Sequence, residues 1–354
     1  MSASWDRWWY GAETEDGMPI GLTLALTPLS WAYRGLTRLS RAVRKPRDIG
    51  CPVISVGNLT LGGSGKTPLV IALVERFLRA GKRVSVLSRG YGRSTRGLCV
   101  VNDPDTRRIA GFEEVGDEPR LIALRCPRAQ VVVGSNRVEA GLLAVRRFSP
   151  DVVICDDAFQ HWRLSRRLDI VAIHAERGLG NGQLFPRGPL REPVEALGRA
   201  GLVVFTHASA ALPRLDLPLP AGVRCARAAL TPIGLFLGDD PSTPVAGSDG
   251  PVVAVCGIGH PEGFFASCRG AGLHLVATFP LADHRALTAR DFSRLDRAIA
   301  AHGARAVVVT EKDWVRFCHL PWRVPLWVLR VESRWVSPGD VAALEESLRR
   351  EGLG

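Results

Sequence analysis

The chain has 354 residues, of which 46% are hydrophobic and 23% are charged. This balance excludes a disordered protein, and the length is sufficient for one large domain or two ordinary domains with their own cores. The formal net charge of +11 favours anionic partners such as nucleotides, nucleic acid or an acidic membrane.

The eight cysteines lack the spacing of a zinc site, since none belongs to a Cys-x-x-Cys pair. Several lie in apolar runs, as Cys155 does, and we expect reduced core thiols in a cytoplasmic protein. We expect no secretory signal, because the first residues are acidic where a signal peptide would be basic. The apolar stretch over 18–33 is too short, and too interrupted by Pro19 and Pro28, for a membrane-spanning helix.

The first predicted long helix lies between Gly17 and Arg47, a segment with six basic residues and no acidic one. At about 100° per residue, one stripe of this helix is basic and the opposite stripe is apolar. The basic stripe holds Arg34, Arg38, Arg41 and Lys45, and the apolar stripe holds Ala32, Leu36, Leu39 and Val43.

This pattern predicts a helix that lies on an anionic membrane surface. Trp5, Trp8, Trp9 and Tyr10 add aromatic residues of the kind that favour a membrane interface. An ordinary helix with a solvated basic face fits the same residues equally well. A basic amphipathic helix also binds nucleic acid in some proteins, so the pattern alone does not identify the partner.

A phosphate-binding loop is predicted between a short buried strand at 52–57 and a helical pattern that ends at Gly81. The nucleotide-binding candidates are Gly62, Gly63, Ser64, Gly65, Lys66 and Thr67. Glycines let backbone N–H groups surround phosphate oxygens, the lysine reaches the β- and γ-phosphates, and the threonine hydroxyl can bind Mg²⁺. The loop departs from the usual Walker A pattern at Thr60, where a glycine is expected.

A second apolar strand, at 151–155, ends in Asp156 and Asp157. An apolar strand that ends in aspartate is typical of a Walker B site, where the carboxylate holds Mg²⁺ directly or through water. Ligands of open α/β sheets gather at the carboxyl ends of the strands. We therefore predict metal binding by Thr67, Asp156 and Asp157, and the sequence leaves open which aspartate makes the direct contact.

The remaining pattern predicts the fold class. Strand candidates at 84–88, 130–133, 168–173 and 201–205 alternate with helical segments, which favours an α/β protein with a P-loop NTPase-like, mainly parallel sheet and helices on both faces. We place an N-terminal membrane-surface helix region at 1–47, a P-loop kinase core at 48–210 and a smaller C-terminal α/β domain at 211–354.

Several further motifs carry polar side chains after strands or at helix starts. Arg89 follows a strand in a Gly-rich loop, and Asp117 stands at a helix start that needs no functional explanation. Arg187 and Arg191 belong to a polar loop that would hold an anionic substrate or simply connect two elements. The charged residues 310–313 are interpreted as a solvated strand end.

In this order the motifs resemble those of the tetraacyldisaccharide 4′-kinase family, the lipid A kinases, over roughly 52–313. The matching segments are 57–68, 88–92, 116–119, 156–161, 188–192, 283–284 and 310–313. The resemblance implies ATP and Mg²⁺ as cofactors and transfer of the γ-phosphoryl group to the 4′-hydroxyl of a tetraacylated disaccharide 1-phosphate. It implies a helix at the cytoplasmic face of the inner membrane and gives no role to nucleic acid, while protein partners stay unknown.

The resemblance also implies roles for individual residues. Asp117 becomes the candidate base with His284 as its partner, and Lys66 the catalytic cation. Arg89, Arg187, Arg191 and Glu192 become candidate substrate contacts. A P-loop switch NTPase that acts on a macromolecular partner is the alternative, and it would transfer phosphate only to water.

Overall fold

The computed structural model describes residues 3–11, 18–106, 108–209, 217, 219–247, 249–282, 285 and 287–354. Asp283 and His284 lie outside these described residues. The described part of the chain forms one twelve-stranded sheet and a small two-stranded sheet.

The strands of both sheets are β1 Val53–Gly57, β2 Val84–Ser88, β3 Cys99–Val100, β4 Asn102–Asp103, β5 Arg108–Ile109, β6 Gln130–Val133, β7 Val152–Asp156, β8 Leu168–His174, β9 Leu202–Thr206, β10 Arg224–Leu237, β11 Pro251–Cys256, β12 His274–Pro280, β13 Ala306–Thr310 and β14 Leu326–Trp335. The large sheet has the order β12-β11-β13-β14-β10-β9-β8-β1-β7-β2-β6-β3.

The helices are α1 Ala3–Tyr10, α2 Ile20–Ala42, α3 Lys66–Arg79, α4 Phe112–Val115, α5 Asp117–Arg125, α6 Arg137–Phe148, α7 Pro261–Gly270, α8 Ala289–His302, α9 Glu311–Phe317 and α10 Pro338–Arg350, with a 3-10 helix at Val194–Arg199.

Most neighbouring strands of the large sheet are parallel. The exceptions are the pair β10–β14 and the pair β3–β6, which are antiparallel. Alternate residues of β1 enter two different cores: Val53 packs with residues of α6, whereas Ile54 and Val56 pack with residues of α3. Helices therefore cover both faces of the sheet, and the predicted fold class is confirmed.

The long antiparallel pair β10–β14 determines how the two halves of the sheet face each other. On one side, β9 ends with Thr206 opposite Ala228 of β10. On the other side, β13 ends with Thr310 opposite Leu329, which pairs in turn with Leu235 of β10. The seven steps along the chain from Ala228 to Leu235 span roughly 23 Å at 3.3 Å per residue.

Because of this offset, the carboxyl ends of the parallel strands in both halves point toward the middle of the β10–β14 pair. The loops that follow those strands meet there and form a cleft. Contacts confirm this meeting, since a Cβ added at Gly259, after β11, would lie 3.0 Å from the backbone nitrogen of Gly63 in the phosphate loop. The division of the chain at 210/211 stays a prediction.

The N-terminal helices lie against the phosphate-loop half. The Tyr10 hydroxyl donates a hydrogen bond to the Leu61 carbonyl at 2.7 Å, and Trp9 is buried. The prediction that these two side chains face a membrane interface is therefore wrong, because they pack against the protein. None of the helices among the described residues combines the length and apolar character that are needed to cross a bilayer.

The eight cysteines are unpaired, and five of them are buried. This agrees with the expectation of core thiols, and burial raises the pKa of Cys126 and Cys155 to about 12. Cys99 and Cys318 are half-buried, and Cys225 in β10 is exposed.

Gly57, at the end of β1, provides a test of this packing. A Cβ at this position would lie 2.5 Å from the Cβ of Phe159 and 2.8 Å from its backbone nitrogen. These two atoms cannot move away easily, because neither is at the flexible end of a side chain. We expect Gly57→Ala to lower the free energy of unfolding by about 1–3 kcal/mol. The measurement is urea denaturation followed by circular dichroism.

Gly35→Ala is the matched control for this prediction. An added Cβ there would have no atom within 4 Å, and Gly35 lies within α2. Alanine favours a helix over glycine by about 1 kcal/mol, so this variant is expected to be unchanged or slightly more stable. Equal midpoints for the two variants would contradict the tight approach of β1 to Phe159.

Candidate active site

The phosphate loop lies between β1 and α3 and supplies free backbone donors at the start of the helix. Gly65, the residue before α3, has a φ of 67°, a left-handed conformation that favours glycine. Among the described side chains, none caps this helix. Its first N–H groups are thus available to an anion, and the helix dipole adds to the attraction.

Neighbouring segments hold the loop in place. The Thr206 hydroxyl, at the end of β9, donates to the carbonyl of Ser64 at 2.8 Å. The backbone N–H of Arg191 donates to the Leu59 carbonyl at 2.7 Å. Thr60 pairs with Leu190 as a short antiparallel bridge. The missing glycine at position 60 is therefore explained, since that residue has extended backbone.

Lys66, Asp157 and Arg191 form one charge cluster beside the loop. The Lys66 ammonium lies 3.5 Å from Oδ1 of Asp157, and the Arg191 guanidinium donates to both oxygens of this carboxylate at 3.0 and 3.1 Å. Burial by itself would raise the pKa of Asp157, but the two cations outweigh it and hold the pKa well below its usual range. Asp157 is thus ionised and already paired.

Asp156 has a different environment from its neighbour. Its carboxyl group is buried at the end of β7, and the Ser88 hydroxyl donates to Oδ2 at 3.4 Å. Its Oδ1 is also buried and has no hydrogen-bond partner among the described residues. Burial raises the pKa of Asp156 to about 7, and the carboxylates of Glu118 and Asp157 act in the same direction.

The unsatisfied oxygen of Asp156 is a group of the kind that binds a metal ion. Mg²⁺ prefers carboxylate, hydroxyl and water oxygens, and it would remove the cost of a buried, unpaired carboxylate. Thr67, in the first turn of α3, supplies the hydroxyl that the sequence pattern requires. The residues therefore fit Mg²⁺, with Asp156 as the better candidate for the direct contact.

Asp117 begins α5 and is buried, with 5% of its surface exposed. Its Oδ2 lies 3.7 Å from Nε of Arg316 in α9, and its Oδ1 accepts the backbone N–H of Glu118 at 2.9 Å. Gly116 before it has a φ of 94°, and a Cβ there would lie 2.9 Å from the Tyr91 carbonyl oxygen. The loop that carries Arg89 therefore packs against the loop that positions Asp117.

The segment 310–313 was interpreted as a solvated strand end, and this interpretation is wrong. Glu311 and Asp313 are buried. The Asp313 carboxylate accepts a hydrogen bond from the backbone N–H of Gly257 at 3.0 Å. The Glu311 carboxylate accepts one from the guanidinium of Arg125 in α5 at 2.8 Å. These bonds join α9 to α5 and to the loop after β11, so the segment fixes the helix that carries Asp117.

The predicted substrate contacts lie in two places. Arg89 is exposed directly after β2, at the carboxyl end of the sheet. Arg187 lies against α2, where the Ser30 hydroxyl oxygen accepts its backbone N–H at 3.2 Å. Glu192 is buried, and its carboxylate accepts bonds from Arg199 at 3.0 Å and Gln160 at 3.2 Å. Glu192 therefore holds the side chains of Arg199 and Gln160 in place. Its contact with substrate stays a prediction.

Sequence reasoning missed Arg137. This residue begins α6 after β6, is buried, and lies close enough to Asp156 and Asp157 to favour the ionised form of both carboxyl groups. The available signal was its place after a parallel strand next to β2, the kind of position where polar side chains reach a ligand.

Comparison with known proteins agrees with this geometry. The family model described as LpxK, tetraacyldisaccharide-1-P 4′-kinase, matches residues 22–350. A tetraacyldisaccharide 4′-kinase from Geobacter sulfurreducens is 41% identical over 333 residues, which cover 93% of this chain and 89% of that protein. The corresponding protein from Pelobacter propionicus is 41% identical over 335 residues, or 94% and 91% of the two chains.

A solved structure gives the same answer for the fold. The crystal structure of LpxK from Aquifex aeolicus in complex with ATP superposes with a TM-score of 0.74 at 28% identity, and covers 93% of this chain and 99% of that chain. The sequence resemblance is thereby confirmed at the level of the family. The chain belongs to the tetraacyldisaccharide 4′-kinase family.

Proposed function

We propose that this protein transfers the γ-phosphoryl group of ATP to the 4′-hydroxyl of a tetraacyldisaccharide 1-phosphate in lipid A biosynthesis. The observation that carries the proposal is the meeting of Lys66, Asp156 and Asp157 at the start of α3. Asp156 offers an unsatisfied oxygen there, while Asp157 is held by two cations. Family membership supplies the acceptor, and this site supplies the means to bind a nucleotide phosphate and its metal.

Each group has a separate task in this proposal. The loop amides from Gly62 to Thr67 and the Lys66 ammonium bind the β- and γ-phosphates. Asp156 and Thr67 hold Mg²⁺, which when bound neutralises charge on those phosphates. Asp157 keeps Lys66 and Arg191 in place, because its carboxylate contacts both cations.

Asp117 would act on the acceptor. It takes the proton of the 4′-hydroxyl while that oxygen bonds to the γ-phosphorus, and the bond to the bridging oxygen breaks as ADP leaves with its electron pair. His284, outside the described residues, is the proposed partner of this carboxylate. Arg316 faces Asp117 at 3.7 Å and helps to orient it. Arg89, Arg187 and Arg191 are the proposed anion contacts of the acceptor.

We further propose that α2 attaches the protein to the cytoplasmic face of the inner membrane. Three residues of its predicted apolar stripe, Leu36, Leu39 and Val43, are 66, 63 and 70% exposed. No described residue covers them. Ser30 of the same helix donates to the Leu184 carbonyl at 3.0 Å. The helix thus borders the loop that carries Arg187, which would place the acceptor loop beside the bilayer.

The first test is a product assay. Purified protein, Mg²⁺ and γ-labelled ATP are mixed with detergent-dispersed tetraacyldisaccharide 1-phosphate, and label is measured in the lipid fraction. We expect label in the lipid, and we expect the rate of labelling to fall by at least about 100-fold in Lys66→Ala. That variant lacks the positive charge that stabilises the transferring phosphoryl group. Label only in free phosphate would contradict the kinase and favour a switch NTPase.

The second test concerns the base. Asp117→Asn is expected to lower kcat by about 10²–10⁴-fold while the KM for ATP stays within about twofold, because the proton acceptor is lost and the nucleotide site is not. Glu113→Gln is the control, since this nearby carboxylate is exposed. A change in kcat of less than about threefold in Asp117→Asn would remove Asp117 from the mechanism.

The third test measures the stability of variants of Asp156 and Asp157 in the absence of metal ions. An acid whose pKa is higher in the folded than in the unfolded chain weakens folding as pH rises between the two values. For Asp156 this window runs from about 4 to about 7. In EDTA at pH 8, we therefore expect Asp156→Asn to raise stability, on the order of 2 kcal/mol, and Asp157→Asn to lower the melting temperature, because two cations lose their partner.

Thermal melts of both variants at pH 5 and pH 8 check this expectation. The gain in Asp156→Asn should shrink at pH 5, where the native carboxyl group is protonated. Asp156→Asn should also lose the stabilisation that ATP with Mg²⁺ gives the unaltered protein. Destabilisation by Asp156→Asn at pH 8 in EDTA would show that this carboxylate is not a strained, unpaired group.

The fourth test concerns the membrane. Replacing Leu36, Leu39 and Val43 with serine should lower binding to vesicles that contain anionic phospholipid by at least about tenfold, since each buried apolar side chain contributes about 1.5–3 kcal/mol. The control is a triple serine variant of Leu98, Ile109 and Val341, which are 39, 36 and 39% exposed elsewhere. Equal cosedimentation of the two variants would contradict attachment through α2.

A further inference from the structure

Three histidines that have no part in the proposed phosphoryl transfer gather beside the phosphate loop. His174 ends β8, His207 follows β9, and His260 precedes α7. The rings of His174 and His207 are stacked with centroids 4.2 Å apart, and the ring of His260 meets that of His174 edge-on at 5.5 Å. Glu176 is two residues after His174, on the exposed rim of the same group.

The positions of three of these side chains fit the ligands of a single ion. One potential ligand atom from each of His174, Glu176 and His260 lies within 4.8 Å of the others. Metal–ligand bonds of about 2.1 Å in a tetrahedral site hold ligand atoms about 3.4 Å apart. Glu176 is exposed and His260 is half-buried, so both side chains have room to rotate the remaining distance.

His174 supplies independent evidence for a ligand. Its Nδ1 accepts the backbone N–H of Glu176 at 3.3 Å, which fixes the ring orientation. Only 4% of the residue is exposed, and its Nε2 is buried without a hydrogen-bond partner among the described residues. Because Nδ1 accepts the bond from Glu176, the neutral ring carries its proton on Nε2, a buried donor without an acceptor, which costs free energy. A metal ion that binds Nε2 would move this proton to Nδ1 and replace the long Nδ1 contact with a metal–nitrogen bond.

The ring angles separate the ligands from a supporting side chain. An imidazole nitrogen binds a metal along the plane of its ring. His174 and His260 are nearly perpendicular, at 86°, and one ring nitrogen of each lies within 4.8 Å of the other and of a carboxylate oxygen of Glu176. His174 and His207 are nearly parallel, at 12°, so their lone pairs do not converge. His207 therefore packs against the face of His174 and is not counted as a ligand.

The chemistry of the three side chains also suits a transition metal. Two imidazoles and one carboxylate favour zinc-like transition metals over Mg²⁺, which prefers oxygen ligands.

The site would join the two halves of the sheet across the cleft. His174 and Glu176 belong to the phosphate-loop half, whereas His260 belongs to the loop after β11. The backbone of Gly259 already approaches Gly63 of the phosphate loop. The His260 ring lies over the first turn of α7, where a Cβ at Gly263 would be 2.6 Å from its Cδ2. An ion held from both sides would fasten these loops together.

We propose that His174, Glu176 and His260 bind a divalent transition-metal ion of the Zn²⁺ type, at a site separate from the Mg²⁺ of the nucleotide, and that this ion clamps the loop after β11 to the phosphate-loop half. The site does not depend on the identity of the phosphoryl acceptor.

The test measures metal binding to the full chain, without nucleotide and with excess Mg²⁺ to occupy Asp156 and its neighbours. Cys225→Ser serves as the background, because the exposed thiol is an alternative zinc ligand. Co²⁺ is titrated into metal-free protein and followed by its visible absorption, and Zn²⁺ is then used to displace it. We expect one ion per chain, and a rise in melting temperature with Zn²⁺ because the ion binds only the folded state.

His260→Ala and Glu176→Gln should each weaken the affinity by at least about tenfold and remove the Zn²⁺-dependent rise in melting temperature. Both residues are partly exposed, so these variants are expected to fold, and circular dichroism checks this. His302→Ala, which removes an exposed histidine at the end of α8, is the matched control and should bind like the background.

Two results would overturn the proposal. One is the absence of a stoichiometric Co²⁺ or Zn²⁺ site in the background protein. The other is unchanged affinity and an unchanged shift of melting temperature in both His260→Ala and Glu176→Gln, which would place the ion elsewhere. Neither result bears on phosphoryl transfer, which the lipid product assay measures separately.

Discussion

The register of the β10–β14 pair is the constraint on which the rest of the structure depends. Parallel β9 aligns with the first residues of β10, and parallel β13 aligns with the first residues of β14. Because the two long strands are antiparallel, this offset turns the carboxyl ends of both halves toward each other. A shift of the register would separate the phosphate loop from the loops after β11 and β13.

The phosphate-loop half of the sheet concentrates charge at the carboxyl ends of its strands. Asp156 is buried at the end of β7, Asp157 follows it half-buried, and three cations, Lys66, Arg137 and Arg191, lie close to Asp157. Lys66 and Arg191 pair with Asp157, and Asp156 keeps an unsatisfied oxygen. Adjacent residues of the same type thus acquire opposite pKa shifts, and the proposal of Asp156 as the metal ligand draws on this difference.

Among the described residues, the second half of the sheet mainly holds other groups of the site in place. Asp313 binds the backbone of Gly257, Arg316 faces Asp117, and Lys312 lies 3.3 Å from Glu118. The contacts of Arg316 and Lys312 cross the cleft and connect the start of α5 to α9. The proposed metal site of His174, Glu176 and His260 would cross the same cleft on its other side, so two sets of bonds would hold the loops over the nucleotide site.

The sequence by itself determined the parts of the protein whose chemistry lies within a few consecutive residues. A strand, a Gly-rich loop with Lys66 and Thr67, and a helix are contiguous, and so is a strand that ends in two aspartates. The alternation of strands and helices gave the fold class in the same way, because local periodicity reports which face of an element is buried. The order of the short motifs was sufficient for the family.

Only the tertiary structure decided which partner each polar side chain meets. It distinguished Asp156 from Asp157, buried Glu311 and Asp313, and packed Trp9 against the protein instead of leaving it for a membrane. It also brought histidines from positions 174, 207 and 260 into one group. These outcomes depend on strand order and register, which bring distant residues together, and no local pattern in a single sequence encodes those contacts.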